Sequence, residues 1–275
     1  MMRWMLMVAL MGLSVCRSSA QTYLEWAERG LDYAGRDSLP QAEACLKEAL
    51  RTDPSNVKNA LLLSNLGTVQ RRQGKREEAL ESYSLALNIT PYSKTILLNH
   101  ASLCLDMQLT DKAYSDYCTL LDLDARCVEA LQYRAFIYMQ RHQYGEARVD
   151  YVRLLEAEPT HRNARLGKAL ADQYLHHYRE ALEELTRLTV ETPRDAMLWK
   201  VRANIEMEMG ETGQALLDLE EAARLTPGDA DIYVTCGQIY LAQGKRRDAY
   251  AAFEKAIAAG YPRASLRDLM KQSRR

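Results

Sequence analysis

No tract of like charge interrupts this 275-residue sequence, and its formal net charge is only −1. Nucleic acid or an anionic lipid surface would find no polybasic segment to hold, so neither is expected as a partner. Low-complexity segments are also absent. No strand pattern precedes a Gly-rich phosphate loop, and neither a GxSxG elbow nor an HExxH helix occurs. The chain is therefore not expected to be an enzyme, and no catalytic residue, metal site or cofactor is assigned. The apolar run Trp4 to Val15 would reach about 18 Å as a helix, short of a bilayer core of about 30 Å. No transmembrane helix is expected in the mature chain.

Cysteine is sparse and unpatterned. Besides Cys16 there are Cys45, Cys104, Cys118, Cys127 and Cys236, an odd number with no metal-ligand spacing. Cys104 and Cys118 fall on two paired helices, but their heights above the connecting turn differ by roughly 10 Å, too far for a disulfide. Cys104 and Cys236 fall at inward-facing phases, where a thiol behaves as a small hydrophobe. His142 and His176 share a phase at two turns with His177 beside them, and no carboxylate or cysteine shares their spacing. They read as exposed turn residues.

What the sequence does have is a period. Pro159, Pro193 and Pro227 are 34 residues apart, and Pro91 lies twice that distance before Pro159. Ala79, Ala113, Ala147, Ala181, Ala215 and Ala249 also follow one another at 34, with Ala42 a further 37 upstream. Each unit reads as two amphipathic helices. In 196–229, apolar residues recur from Leu198 to Met209, Gly210 and Gly213 break the pattern, and a second helix runs to Leu225 before Pro227 stops it. A lone hairpin of this kind cannot bury both apolar faces, so it needs a copy on either side.

Counted from Tyr23, Ala60, Lys94, Val128, Arg162, Ala196 and Ala230, position 8 is always small: Gly30, Gly67, Ala101, Ala135, Ala169, Ala203 and Gly237. Position 20 is the alanine series, and position 24 is bulky: Leu46, Tyr83, Tyr117, Tyr151, Leu185, Leu219 and Phe253. Small residues on facing helices let the backbones approach, and the larger groups fill the space around them. A 34-residue unit with an aromatic or leucine at position 4, small residues at 8 and 20, a bulky one at 24 and proline at 32 resembles the tetratricopeptide repeat (TPR). The resemblance covers Tyr23 to about Pro262. Two units depart from it: the third has Ala125 where proline is expected, and the fifth has Arg165 at the Trp-type position.

The resemblance implies an all-α, right-handed superhelical solenoid of about seven helix-turn-helix repeats: 23–56, 60–93, 94–127, 128–161, 162–195, 196–229 and 230–263. Val57-Lys58-Asn59 is an insertion after the first. Residues 264–275 form a cap and tail, with Leu266, Leu269 and Met270 on one side of a short helix from Ala264 to about Lys271. Residues 1–20 have the layout of a secretory signal peptide, with Arg3, the apolar run, and Ser18 and Ala20 before a cut at Gln21. The protein is thus expected to be exported, periplasmic or secreted, with periplasm the compartment if the source is bacterial. Leu13-Ser14-Val15-Cys16 also resembles a lipobox, but Val15 stands where Gly, Ala or Ser is usual, so a lipid anchor at Cys16 is the lesser reading.

On each first helix, positions 2, 5, 9 and 12 form a stripe turned away from the packed positions. In the TPR family that stripe lines the concave surface where peptides lie. Carried over, it comprises Glu129, Gln132, Phe136 and Met139 in the fourth unit. The fifth adds Asn163, Leu166, Leu170 and Gln173, with Tyr174 beside them, and the sixth adds Met197, Lys200, Asn204 and Met207. Phe136, Leu170 and Met207 are large where no structural need is evident. The expected function is a non-catalytic scaffold binding a protein or peptide there. Lys200 and Asn204 match part of the family's carboxylate clamp, but Thr235 stands where its next asparagine belongs. The alternative is a structural or oligomerisation subunit of an envelope assembly, using Leu24, Ala27 and Leu31 of an uncapped first unit.

Overall fold

A computed structural model describes residues 22–274; the leader and Cys16 lie outside the described residues. Helices follow in pairs. They are α1 (22–35) and α2 (Leu39–Thr52), α3 (Asn59–Arg72) and α4 (Arg76–Ile89), α5 (Lys94–Asp106) and α6 (Thr110–Leu123), α7 (Val128–Gln140) and α8 (Tyr144–Ala157). Next come α9 (Arg162–Tyr174) and α10 (Tyr178–Glu191), α11 (Ala196–Glu208) and α12 (Thr212–Leu225), α13 (Ala230–Ala242) and α14 (Arg246–Ala258). A 3-10 turn, Arg263–Leu266, leads into α15 (Arg267–Arg274), so the closing helix starts and ends about three residues later than expected. There is no strand among the described residues. The fold is all-α.

Every hairpin turn has the same chemistry. Residue 15 of each unit adopts a left-handed backbone: Asp37, Gly74, Gln108, His142, His176, Gly210 and Gly244. The residue after it donates its N–H to a carbonyl five residues back, as Leu109 does to Cys104 at 2.8 Å, which ends the first helix. This explains His142 and His176. They occupy a conformation that favours glycine, and each is pinned by a hydrogen bond with a tyrosine hydroxyl, Tyr144 or Tyr178, both at 2.6 Å. Gln108 has φ of 60°. Gln108→Gly is expected to stabilise by about 0.5–1 kcal/mol, the relief of a left-handed side chain less the glycine's entropy. A urea titration of both proteins checks it.

Between hairpins, the residue before the proline leaves the helical region because the proline ring crowds it out, as at Thr90 and Thr226. Asp124 adopts nearly the same backbone before Ala125, and its side chain accepts the Arg126 N–H at 3.2 Å. A side-chain turn thus replaces the missing proline. The insertion is fastened by Asn59, whose Nδ2 donates to the carbonyls of Asp53 (2.9 Å) and Pro54 (3.0 Å). The hydroxyl of Tyr23 donates to the same residue's Oδ1 at 3.1 Å. At the Trp-type position of the fifth unit, Arg165 reaches α10 and pairs with Glu184 and Glu191.

The chain divides into two compact units, one ending at Ile137 and one beginning at Tyr138. In the first, Tyr23, Leu46, Leu62 and Leu66 join the first two hairpins, and Tyr83 packs with Ala79 and Leu103. A Cβ at Gly67 would lie 2.9 Å from the Tyr83 ring, which is why position 8 must be small opposite position 24. In the second, Leu185, Leu188, Leu198 and Ile205 form one core, and Leu219, Ala222 and Ile232 another. Leu266 and Met270 close over Phe253 and Ala256, with Leu269 half-buried beside them, so the last hairpin is covered.

Candidate functional site

In the unit ending at Ile137, Gln132 is half-buried and Phe136 is 47% exposed. The buried residues of α7 are Ala130, Leu131, Ala135 and Ile137, so Phe136 stands outside that helix's packed set. Met139, half-buried on the same helix, belongs to the other unit.

In the unit beginning at Tyr138, Gln173 Nε2 donates to Glu208 Oε1 at 2.7 Å and ties α9 to α11. Met197 is 55% exposed, Asn204 is exposed and Tyr174 is 52% exposed. The Tyr174 ring is stacked on Tyr144, with centroids 4.2 Å apart and planes within 6°. That makes it a held aromatic platform, and Tyr144 is a member that sequence phase alone missed. Leu166 and Leu170 rest against the core of Ala169, Ala181 and Leu185, and Met207 against that of Ala203 and Leu219. Leu170 and Met207 therefore do carry packing, because a helix stripe this close to the hairpin seam shares its surface with the core. Lys200 Nζ bonds Asp229 Oδ2 at 2.6 Å, and Asp229 also caps α13 through the Asp231 N–H. Thr235 spends its hydroxyl on the Asp231 carbonyl. The lysine charge is matched and no amide follows it, so a carboxylate clamp is not assembled.

The polar residues that sequence reading passed over lie inside the hairpins, at positions 7, 11 and 23. Arg202 grips both oxygens of Asp218 at 2.6 Å and lies 4.8 Å over the Trp199 ring. At the same two phases of the third hairpin, His100 Nδ1 meets Asp116 Oδ2 at 2.6 Å, and Nε2 meets Ser84 Oγ at 3.2 Å. Burial alone would lower the His100 pKa, but the Asp116 hydrogen bond, and Cys104 after it, lift it to about 9. Ser84, His100 and Asp116 share the connectivity of a hydrolase triad. However, Ser84 donates to the Leu80 carbonyl at 2.7 Å, and it lies within α4, where the surrounding backbone N–H groups are spent on the helix. Nothing there would hold an oxyanion. The signal available in the sequence was a charged residue at a phase that is apolar in a neighbouring unit, such as Leu66 for His100.

Cys104 and Cys45 are buried, while Cys118, Cys127 and Cys236 are partly exposed; all five are free thiols. Burial, opposed in part by Lys255, raises Cys236 to about 11.

Two family models described as tetratricopeptide repeat match this chain, one over residues 27–94 and 166–230, the other over 206–272. A solved tetratricopeptide repeat protein from Parabacteroides merdae ATCC 43184 is 38% identical, with 93% of this chain and 100% of that one covered and a TM-score of 0.65. The C-terminal part of a TPR repeat-containing protein from Cytophaga hutchinsonii is 12% identical, covers 89% and 99%, and has a TM-score of 0.72. YrrB, described as a TPR protein with an unusual peptide-binding site, is 20% identical, with 66% and 93% covered and a TM-score of 0.56. No curated protein matches the chain.

Proposed function

The chain belongs to the tetratricopeptide repeat family, and on that premise we propose that it is a non-catalytic scaffold binding a peptide segment along α9 and α11. The observation that carries this reading is the exposure of Met197 and Asn204 on α11 and of the Tyr174 platform on α9, two first helices tied by Gln173 and Glu208. An exposed thioether adapts to varied apolar side chains, and the amide of Asn204 can serve a peptide backbone. Because Lys200 is matched by Asp229, the segment is recognised by apolar side chains and main chain, not by a terminal carboxylate. The likeness to YrrB, a TPR protein with a peptide-binding site, agrees with this class of ligand.

Panning a displayed random-peptide library on the protein tests the reading. Met197→Asp should weaken the enriched peptides by at least about tenfold, roughly 1.4 kcal/mol, while leaving far-UV ellipticity unchanged. Met197 is the cleaner probe, since an acid at Leu170 would also disturb the core. Peptides that bind Met197→Asp as well as the parent would remove α11 from the site, and Phe136→Asp examines α7 in the same way.

Export is part of the proposal and rests on the leader layout; an intact mass beginning at Gln21 supports it, and a lipidated Cys16 replaces it with an anchored form. A second reading, self-association through α1, is favoured by Leu24 and Leu31, 47% and 46% exposed two turns apart. Light scattering with and without Leu31→Glu separates it from peptide binding.

A further inference from the structure

We propose that the third hairpin holds a zinc-class divalent cation between His100 Nδ1, Cys104 Sγ and a carboxylate oxygen of Asp116. Of the seven units, this one alone puts His, Cys and Asp at positions 7, 11 and 23; the sixth, for comparison, has Arg202, Glu206 and Asp218. His100 and Cys104 are one helical turn apart on α5 and so share a face, while Asp116 comes from α6. The three donor atoms lie within 4.8 Å of one another.

The distances are close to what zinc needs. Bonds of about 2.0–2.3 Å at tetrahedral angles put the donors roughly 3.3–3.6 Å apart. Sγ is 3.8 Å from Nδ1 but also 4.0 Å from Nε2, so it lies over the ring and must swing toward the Nδ1 edge, while Nδ1 and Oδ2, now 2.6 Å apart, need to open by about 0.7 Å. The far ring nitrogen is oriented as metal-bound imidazoles are. Nε2 faces Ser84 Oγ, whose own proton goes to the Leu80 carbonyl, so Nε2 carries a hydrogen and Nδ1 is left for the metal.

The occupied site would also be neutral: imidazole, carboxylate, thiolate and a dication sum to zero, so the cation would add no net buried charge.

The test uses the reduced, chelator-stripped mature protein titrated with Co2+ and then Zn2+. One equivalent of Co2+ should give a thiolate-to-cobalt charge-transfer band that Zn2+ displaces. Cys104→Ala should abolish the band and weaken zinc on the order of a hundredfold or more, whereas Cys118→Ala should change neither. No band in the parent, or one that survives Cys104→Ala, overturns the proposal. Should Cys104→Ala lose its helical spectrum, Asp116→Asn decides: a tenfold or greater loss of zinc affinity supports the site, and unchanged affinity overturns it.

Discussion

Asp172→Ala is expected to destabilise the protein by about 3–5 kcal/mol, the cost of removing one partner from a buried ion cluster. The Asp172 side chain is wholly buried and receives Arg148 from α8, Lys168 from one turn back on α9 at 2.6 Å, and His177 from the next turn at 3.4 Å. Alanine would leave the two strong cations facing an apolar hole while they remain only 35% and 21% exposed. Burial alone would raise the carboxyl pKa, but Lys168 and Arg148 together hold it below its usual 3.8. A lowered folded pKa means stabilisation present above 3.8 and lost as pH falls below it. The parent should therefore show an acid limb there that Asp172→Asn lacks. Because each hairpin leans only on its neighbours, hydrogen exchange should accelerate first in α9 and the adjoining α8. A urea-derived loss under about 1 kcal/mol would show the cluster to be ornamental.

Glu206→Gln is expected to act in the opposite direction. Glu206 is 8% exposed, and its Oε2 has no hydrogen-bond partner among the described residues. Burial first, and then the charge of Asp218, push its pKa from 4.5 to about 7, against the pull of Arg202 and with a smaller push from Glu211. Here the folded pKa is above the unfolded one, so the fold prefers the neutral acid. The penalty is absent below pH 4.5, grows between 4.5 and about 7, and is complete above that. At about 1.4 kcal/mol per pH unit, the full penalty is roughly 3 kcal/mol. Glutamine has nothing to ionise, so Glu206→Gln should raise the melting temperature at pH 8 and leave it nearly unchanged at pH 5. Parallel curves for the two proteins across that range would contradict the assignment.

Both predictions concern residues whose importance could not be read from spacing. Helix pairing was legible because a 3.6-residue repeat places apolar groups on one face whatever their partners, and because the small series at positions 8 and 20 leaves room for position 24. The turns were legible wherever glycine or proline stood in them. At Ala125 the proline was missing and the turn still formed, because Asp124 could supply the bond from its side chain. At Gln108, His142 and His176 the left-handed turn was retained without glycine, since the hydrogen bonds closing the helix cover the strain.

The candidate site was legible in part. Phase put Phe136, Tyr174, Met197 and Asn204 on outward-facing stripes, but it could not divide those residues from Leu170 and Met207, which lean inward. It also placed Lys200 there without the aspartate that already holds it. The sequence by itself determined that helices would form, where they would stop, and that each hairpin would need neighbours, since these follow from backbone preferences and one-dimensional period. Only the tertiary structure decided which polar groups meet, as His100 meets Asp116 and Asp172 meets Arg148. Those encounters join separate helices across distances of a few ångströms, and periodicity along one helix carries no information about them.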